Sequence, residues 1–364
     1  MSAAEVSADL LAGNLAEELK GCKLFGMGGE KMRRAGVDVR LDITGKSSIG
    51  IIEALKYLPH HLLILKKLKE MLKKERPDAL ILIDAQGLNM VLASYARKLG
   101  IKTIYYIAPQ EWLWGTKRGV EKVAKTIGLI VSIFKKEHET FKAAGGNSVF
   151  FGHPLLDVVK TSMNRDEFCR KFGFNKDQKL IALCPGSRYH EIKDLLPILI
   201  ETASKIKGAQ FVMPISSPKF RQSIEEKVVK ASLNIKIIEG FNYDVLGHSD
   251  LVISKSGTTI LECVCLGTPV IMFYKLSPLT YFIGKHFLGI KLKYYSMPNI
   301  LTDKMVVPEY VMSAATAENL YKEAVRMLAE PEKARADYAE IRMLLGEPGA
   351  TVKAAEKILE FVKG

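Results

Sequence analysis

The chain has 364 residues, a formal net charge of +13, and 48% hydrophobic against 26% charged residues. That length exceeds what one core usually supports, so two domains are expected, and the composition excludes disordered and fibrous classes. The positive surplus calls for an anionic partner, a phosphorylated substrate or an anionic membrane face; nucleic acid fits least, since no Lys/Arg block is interleaved with aromatics.

The N-terminus is polar and acidic where a secretory signal needs a basic and then an apolar stretch. No run of ~18 apolar residues exists to span a bilayer. The five cysteines (Cys22, Cys169, Cys184, Cys263, Cys265) form no C-x-x-C pair. They are expected to be reduced thiols in a cytoplasm.

The first block, A-E-V-S-A-D at 4–9, precedes an amphipathic helix at 10–19. Ser7 or Asp9 caps that helix, or Glu5, Ser7 and Asp9 contact a substrate. Residues 50–75 carry Leu and Ile at helical spacing, with Lys66, Lys67, Lys69, Lys73 and Lys74 on a basic face. The pattern suits a helix lying on an anionic membrane through Ile51, Ile52, Leu55, Leu58, Leu62 and Leu65, or a domain helix with a solvated basic side. A second apolar segment, 276–288, is too short to span.

Strands are expected at 79–84, 103–108, 128–134, 148–151, 180–184, 210–214, 235–238, 251–253 and 269–274, with helical periodicity between them. Strand–helix alternation implies α/β parallel sheets, whose ligands sit at the carboxyl ends of the strands. The polar motifs from residue 84 onward each follow such a run. Asp84 ends the first strong strand, as a base or a sugar-orienting group, or as a cap for the next helix; Asn89 caps or binds. P-Q-E-W-L-W at 109–114 supplies a second candidate base, Glu111, and two tryptophans that stack on a sugar or pack in the core. His153 in G-H-P reads as structural.

A domain break is expected between residue 154 and about residue 177, giving domains at 1–155 and 175–330 and terminal helices at 331–364 that pack back on the first domain. In the second domain, P-G-S-R at 185–188 ends a strand. Gly186 admits a ligand to the backbone, Ser187 can cap the helix, and Arg188 can clamp a phosphate. S-K-S-G-T-T-I-L-E-C at 254–263 is a polar turn entering a helix, which suits a phosphate at Ser256, Gly257 and Thr258. Glu262 lies about two turns on from Ser254, near enough to accept hydrogen bonds from a ribose. No cluster has metal-ligand spacing, and no P-loop or G-x-G-x-x-G motif is present.

Together the blocks resemble glycosyltransferase family 19, the lipid-A-disaccharide synthases. Those that carry the resemblance are A-E-V-S-A-D, F-G-M-G-G-E-K-M at 25–32, I-G-I-I-E-A-L at 49–55, I-D-A-Q-G-L-N at 83–89 and Y-I-A-P-Q-E-W-L-W at 106–114. F-G-H-P, P-G-S-R, S-G-T-T-I-L-E, S-P-L-T-Y, Y-S-M-P-N-I-L and L-G-E-P-G-A complete the series. The order and spacing of these blocks, spread over nearly the whole chain, make the resemblance specific. It implies a GT-B fold of two Rossmann-like domains with the ligand cleft between them. It implies an inverting transfer that joins UDP-2,3-diacylglucosamine to 2,3-diacylglucosamine 1-phosphate (lipid X), with no cofactor and no known metal requirement. It further implies a place in lipid A biosynthesis, a peripheral position on the cytoplasmic face of the inner membrane, and Arg188, Gly257, Thr258, Glu262 and Asn299 as the UDP-binding set. Asp84 and Asn89 then fall on the acceptor side, and a homodimer is an open expectation.

Two departures follow. Many members carry an acidic residue, often proposed as the base, where this chain has Gly87; Asp84, Glu111 or another carboxylate must then serve. Members also usually place a full strand before S-G-D, whereas only Met1–Ala4 precede Glu5 here and Ala8 replaces the glycine. The first strand is therefore expected to be missing through a truncated start, leaving a sheet edge or gap. Two rivals remain: another GT-B UDP-sugar enzyme, such as an epimerase or lipid-intermediate transferase, and a membrane-associated UDP-binding protein without catalysis.

Overall fold

The computed structural model describes residues 1–43, 58–215, 217–275 and 293–364, with the backbone alone at 58–61 and 114. The chain divides into two compact units, Met1–Asp157 with Leu345–Gly364, and Val158–Leu344.

The first unit holds β1 (Ser2–Ala3), β2 (Phe25–Met27), β3 (Asp38–Leu41), β4 (Ala79–Ile83), β5 (Lys102–Tyr106), β6 (Leu129–Ser132) and β7 (Ser148–Phe150). They form one parallel sheet in the order β3-β2-β1-β4-β5-β6-β7. Residues 80–83 and 104–106 are buried without alternation, the pattern of a sheet covered on both faces. The strand order reverses between β1 and β4. Open α/β sheets bind ligands at such a switch point.

The first strand is short, but no gap is left where it belongs. β1 is two buried residues, Ser2 pairing with Met27 on one side and Leu82 on the other, Ala3 with Ile83. Gly26 permits the close approach, because a Cβ there would lie 2.0 Å from the Met1 carbonyl oxygen. The Met27 amide donates to that same oxygen at 3.0 Å. Two residues carry no periodicity, so β1 has no local signal; β2 and β3, three and four residues long, are little better.

The second unit holds β8 (Lys179–Cys184), β9 (Ala209–Ile215), β10 (Ile235–Glu239), β11 (Leu251–Lys255), β12 (Val270–Tyr274) and β13 (Glu309–Val311). The parallel order is β10-β9-β8-β11-β12-β13, and it reverses between β8 and β11.

Residues 331–364 do not stay together. The helix Pro331–Leu345 belongs to the second unit up to residue 344, where the Val270 amide donates to the Tyr338 hydroxyl at 3.1 Å. The helix Ala350–Lys363 belongs to the first. Its N-terminus donates to the Asp157 carboxylate from the Gly349 and Thr351 amides, at 2.5 and 2.8 Å. At its other end the Lys102 ammonium donates to the carbonyls of Phe361 and Val362.

On the helix Leu58–Glu75, Ile64, Leu68 and Leu72 recur every fourth residue and are buried in the core. Leu65 is half-buried against the same core. Leu62 and Leu63 are 58% and 50% exposed, next to exposed Lys66 and Lys67.

Candidate active site

The switch point of the second unit brings together P-G-S-R, which follows β8, and S-K-S-G-T-T, which spans the end of β11. Glu191, in the first turn of the helix Tyr189–Lys205, organises it. One oxygen of its carboxylate accepts from the amides of Ser187 and Arg188, at 3.0 and 3.3 Å. The other accepts from the Arg188 guanidinium at 3.1 Å and from the Lys255 ammonium at 3.0 Å. Burial alone would raise this carboxyl, but Lys255, Arg188 and the amides outweigh it and hold it below the usual range. Gly186 is required where Glu191 turns in: its φ is +126°, and a Cβ would meet the carboxylate at 2.4 Å.

The helix Thr258–Leu266 begins at exposed Gly257, where no side chain caps it. Its first amides and the positive end of its dipole therefore face outward at the strand ends. Glu262 is partly buried, and burial pushes its carboxyl up to about 7, against the Thr259 hydroxyl, which lowers it. The Cys184 thiol, at the end of β8, and the Tyr243 hydroxyl both feel its charge.

The switch point of the first unit joins the loops after β1 and β4. Glu5 is the N-cap residue of the helix Val6–Glu18. Asp84 follows β4 with its side chain exposed. Asp84 and Ala85 have φ of +51° and +49°, and Ile107, past β5, has +66°. Such conformations cost about 1–3 kcal/mol each, persist only where the surroundings impose them, and cluster at functional sites. Here the Asp84 amide donates to the Ile107 carbonyl at 3.2 Å. The Asp84 carbonyl accepts from the Tyr105 hydroxyl and the Asn89 amide nitrogen, both at 2.7 Å. The Gln86 side chain donates to Glu111, so both candidate bases stand at one corner of the sheet. Glu111 nests against Gly115 and Gly119, where a Cβ would overlap its carboxylate. Gly87 has open space around its missing side chain.

A family model described as lipid-A-disaccharide synthetase matches residues 1–360 of this chain. The chain belongs to the lipid-A-disaccharide synthase family. Among its relatives, the lipid-A-disaccharide synthase of Geobacter metallireducens is 35% identical over 99% of this chain and 96% of its own length. That of Persephonella marina is 34% identical over 99% and 98%. Both units also follow a fold seen in solved structures. A UDP-GlcNAc 2-epimerase from Neisseria meningitidis, bound to UDP-GlcNAc, has a TM-score of 0.66 at 14% identity, covering 97% of this chain and 96% of its own. A putative UDP-N-acetylglucosamine 2-epimerase from Listeria monocytogenes has 0.68 at 15%, covering 99% and 94%. The fold is the two-domain Rossmann-like GT-B type, and the chain is a glycosyltransferase of lipid A biosynthesis.

Within this lipid-A-disaccharide synthase chain, the switch points gather Gly186, Ser187, Arg188, Ser256, Gly257, Thr258 and Glu262 in the second unit, and Glu5, Ser7 and Asp84 in the first. Three expected ligand contacts are structural instead. Asn299 is fully buried; its oxygen accepts from the Val306 and Val307 amides and its nitrogen donates to the Val307 carbonyl and Glu309, so no polar capacity is left for UDP. Asn89 is fully buried and ties β1 to the end of β4. Asp9 is buried and accepts from the amides of Gly29, Lys31 and Met32, capping the helix Glu30–Arg34 rather than its own. Ser187 does not cap its helix either, since the cap position is Arg188 and Glu191 reaches back to it. Ile51, Ile52 and Leu55 lie outside the described residues, as do the blocks at 49–55 and 277–281, and nothing describes the side chain of Leu58.

His153 is structural: its Nδ1 accepts from the Leu155 amide at 3.1 Å, and burial pushes its pKa down to about 3. Sequence reasoning missed Lys255 and the role of Glu191. The signal was present in S-K-S-G, a lysine one residue before the cradle. Among the described residues no group of three or more His, Cys, Asp or Glu is placed to hold a metal ion, and no helix is long and apolar enough to cross a membrane.

Proposed function

We propose that this chain condenses UDP-2,3-diacylglucosamine with 2,3-diacylglucosamine 1-phosphate, releasing UDP and the β-1,6-linked disaccharide 1-phosphate. Family membership supports the reaction. The single structural observation that carries the residue roles is that both motif pairs fall on the switch points of their sheets. Such points are where open α/β sheets bind ligands.

The acceptor 6-hydroxyl passes its proton to a carboxylate, Asp84 first and Glu111 second, as its oxygen forms the bond to C1 of the donor sugar. The C1–O bond to UDP breaks in the same in-line displacement, inverting the anomeric centre. The electron pair leaves on the diphosphate, where Arg188 and the amides at Gly257 and Thr258 stabilise it. Glu262 accepts from the ribose hydroxyls. Exposed Leu62 and Leu63 beside Lys66 and Lys67 support docking on the anionic face of the inner membrane, where both lipid substrates reside.

The test is purified protein with detergent-dispersed UDP-2,3-diacylglucosamine and lipid X, followed for UDP and disaccharide 1-phosphate together. Both products establish the reaction. UDP formed without disaccharide, or neither product from folded protein, refutes it.

A further inference from the structure

The loops after β4 and β5 are tied together twice around Asp84. At the entry to the turn, the Asp84 amide donates to the Ile107 carbonyl at 3.2 Å. At its exit, the exposed Gln86 side chain donates from Nε2 to Oε1 of Glu111. Asp84 and Ala85, before that exit, both have positive φ, and Ile107 has it too. Such backbone persists only where its surroundings impose it. Bonds from Tyr105 and Asn89 fix the Asp84 carbonyl, and the Asn89 amide fixes that of Ala85 at 3.0 Å. The helix Gln86–Lys98 then begins at the residue that Glu111 holds.

Glu111 has a seat of its own. It opens the short helix Glu111–Trp114, with its amide on the Pro109 carbonyl at 2.7 Å. Its half-buried side chain turns toward Gly115 and Gly119, and Oε2 lies where a side chain on either glycine would stand. Gly119 is in the first turn of the helix Lys117–Thr126, a favourable place for an anionic group. One carboxylate oxygen is thus directed at two glycines and the other at Gln86. A general base needs an oxygen directed at the proton it takes.

We propose that Glu111 is a positioning residue and not the base: it holds Gln86, and through Gln86 the turn that presents Asp84 to the acceptor hydroxyl. This rests on the reading of Asp84 as the base. Cutting the Gln86–Glu111 contact frees the exit of the turn while its entry stays tied, so the Asp84 carboxylate loses its aim. The proton transfer slows, and the nucleotide site in the second unit keeps its donor affinity.

The experiment measures kcat and KM with UDP-2,3-diacylglucosamine and lipid X, per folded molecule, for the full-length chain, Gln86→Leu, Glu111→Gln, Glu111→Ala, the double variant Gln86→Leu/Glu111→Ala, and Asp84→Asn. Glu111→Gln removes any base but leaves Gln86 an acceptor. Gln86→Leu and Glu111→Ala are each expected to lower kcat on the order of 10-fold, with the donor KM unchanged. The double variant falls no further than the slower single one, because all three cut one contact. Glu111→Gln restores most of the loss, to within about 2- to 3-fold of wild type. A fall of roughly 10²–10⁴ in Glu111→Gln, with Gln86→Leu near wild type, makes Glu111 the base and overturns the proposal. Wild-type kcat in both Gln86→Leu and Glu111→Ala overturns it as well, since a merely structural contact moves Tm and not the rate. If Glu111→Ala does not fold, Gln86→Leu decides, its side chain being exposed: a lowered kcat supports the proposal and an unchanged one overturns it. Asp84→Asn with wild-type kcat instead refutes Asp84 as the base, and this inference with it.

Discussion

Replacing Asn89 by alanine separates a structural from a substrate-binding residue. Its carboxamide accepts from the Ser2 hydroxyl at 2.7 Å and donates to the carbonyls of Asp84 and Ile83 at 2.7 and 3.1 Å. Each such bond is worth about 0.5–1.5 kcal/mol net, and a buried donor left without a partner costs about 1–3 kcal/mol. The Ser2 hydroxyl, wholly buried, becomes such a donor. The turn at Asp84 and Ala85 also loses a bond that holds its carbonyl while φ is positive, leaving that from the Tyr105 hydroxyl. We expect a loss of about 3–4 kcal/mol in the first unit. For a unit of roughly 150–250 residues that lowers Tm by on the order of 10 °C. Thermal unfolding followed by circular dichroism gives the stability, and lipid X kinetics give the activity. Because the same turn carries Asp84, kcat falls along with Tm. An unchanged Tm with a raised KM for lipid X alone would refute the reasoning and return Asn89 to the acceptor site.

Four further outcomes are expected. Asp84→Asn lowers kcat by roughly 10²–10⁴ if it is the base; a larger loss in Glu111→Gln, with Asp84→Asn near wild type, reverses the assignment. Gly186→Ala strains a φ of +126° and drives a methyl into Glu191, so UDP affinity and thermal stability of the second unit fall together; wild-type values for both would show that the turn adapts. Glu262 must be ionised to accept from both ribose hydroxyls, and burial pushes its carboxyl up to about 7. UDP affinity therefore weakens as the pH falls from about 8 to about 6, more steeply in wild type than in Glu262→Gln; parallel profiles by calorimetry count against the ribose role. Finally, burial pushes the wholly buried Glu137 up to about 8. The folded chain keeps a proton that the unfolded chain releases above roughly pH 4.3, so wild type loses stability against Glu137→Gln from about pH 5 to about pH 8, on the order of 1.4 kcal/mol per pH unit. A difference in urea midpoints that stays flat across that window would contradict this.

What the sequence determined by itself was the rhythm and the chemistry of short segments. Parallel strands buried on both faces read as unbroken apolar runs, so β4 to β12 declared themselves within a residue or two. P-G-S-R and S-G-T-T each announce a turn into a helix within four residues, because a turn glycine, an uncapped helix start and an arginine are local features. What only the tertiary structure decided were the pairings made across long stretches of chain. β1 is a strand because Met27 and Leu82 flank it, not because two residues prefer to be extended. Lys255 finds Glu191 across 64 residues, and Asp157 caps a helix 192 residues further on. Asn89 and Asp9 looked like ligands because a polar side chain near a loop suits either role, and Asn299 because the family resemblance put it in the UDP-binding set. Burial with every hydrogen-bonding group engaged, visible only in three dimensions, makes the two asparagines structural, and Asp9's buried hold on a distant helix start does the same for it.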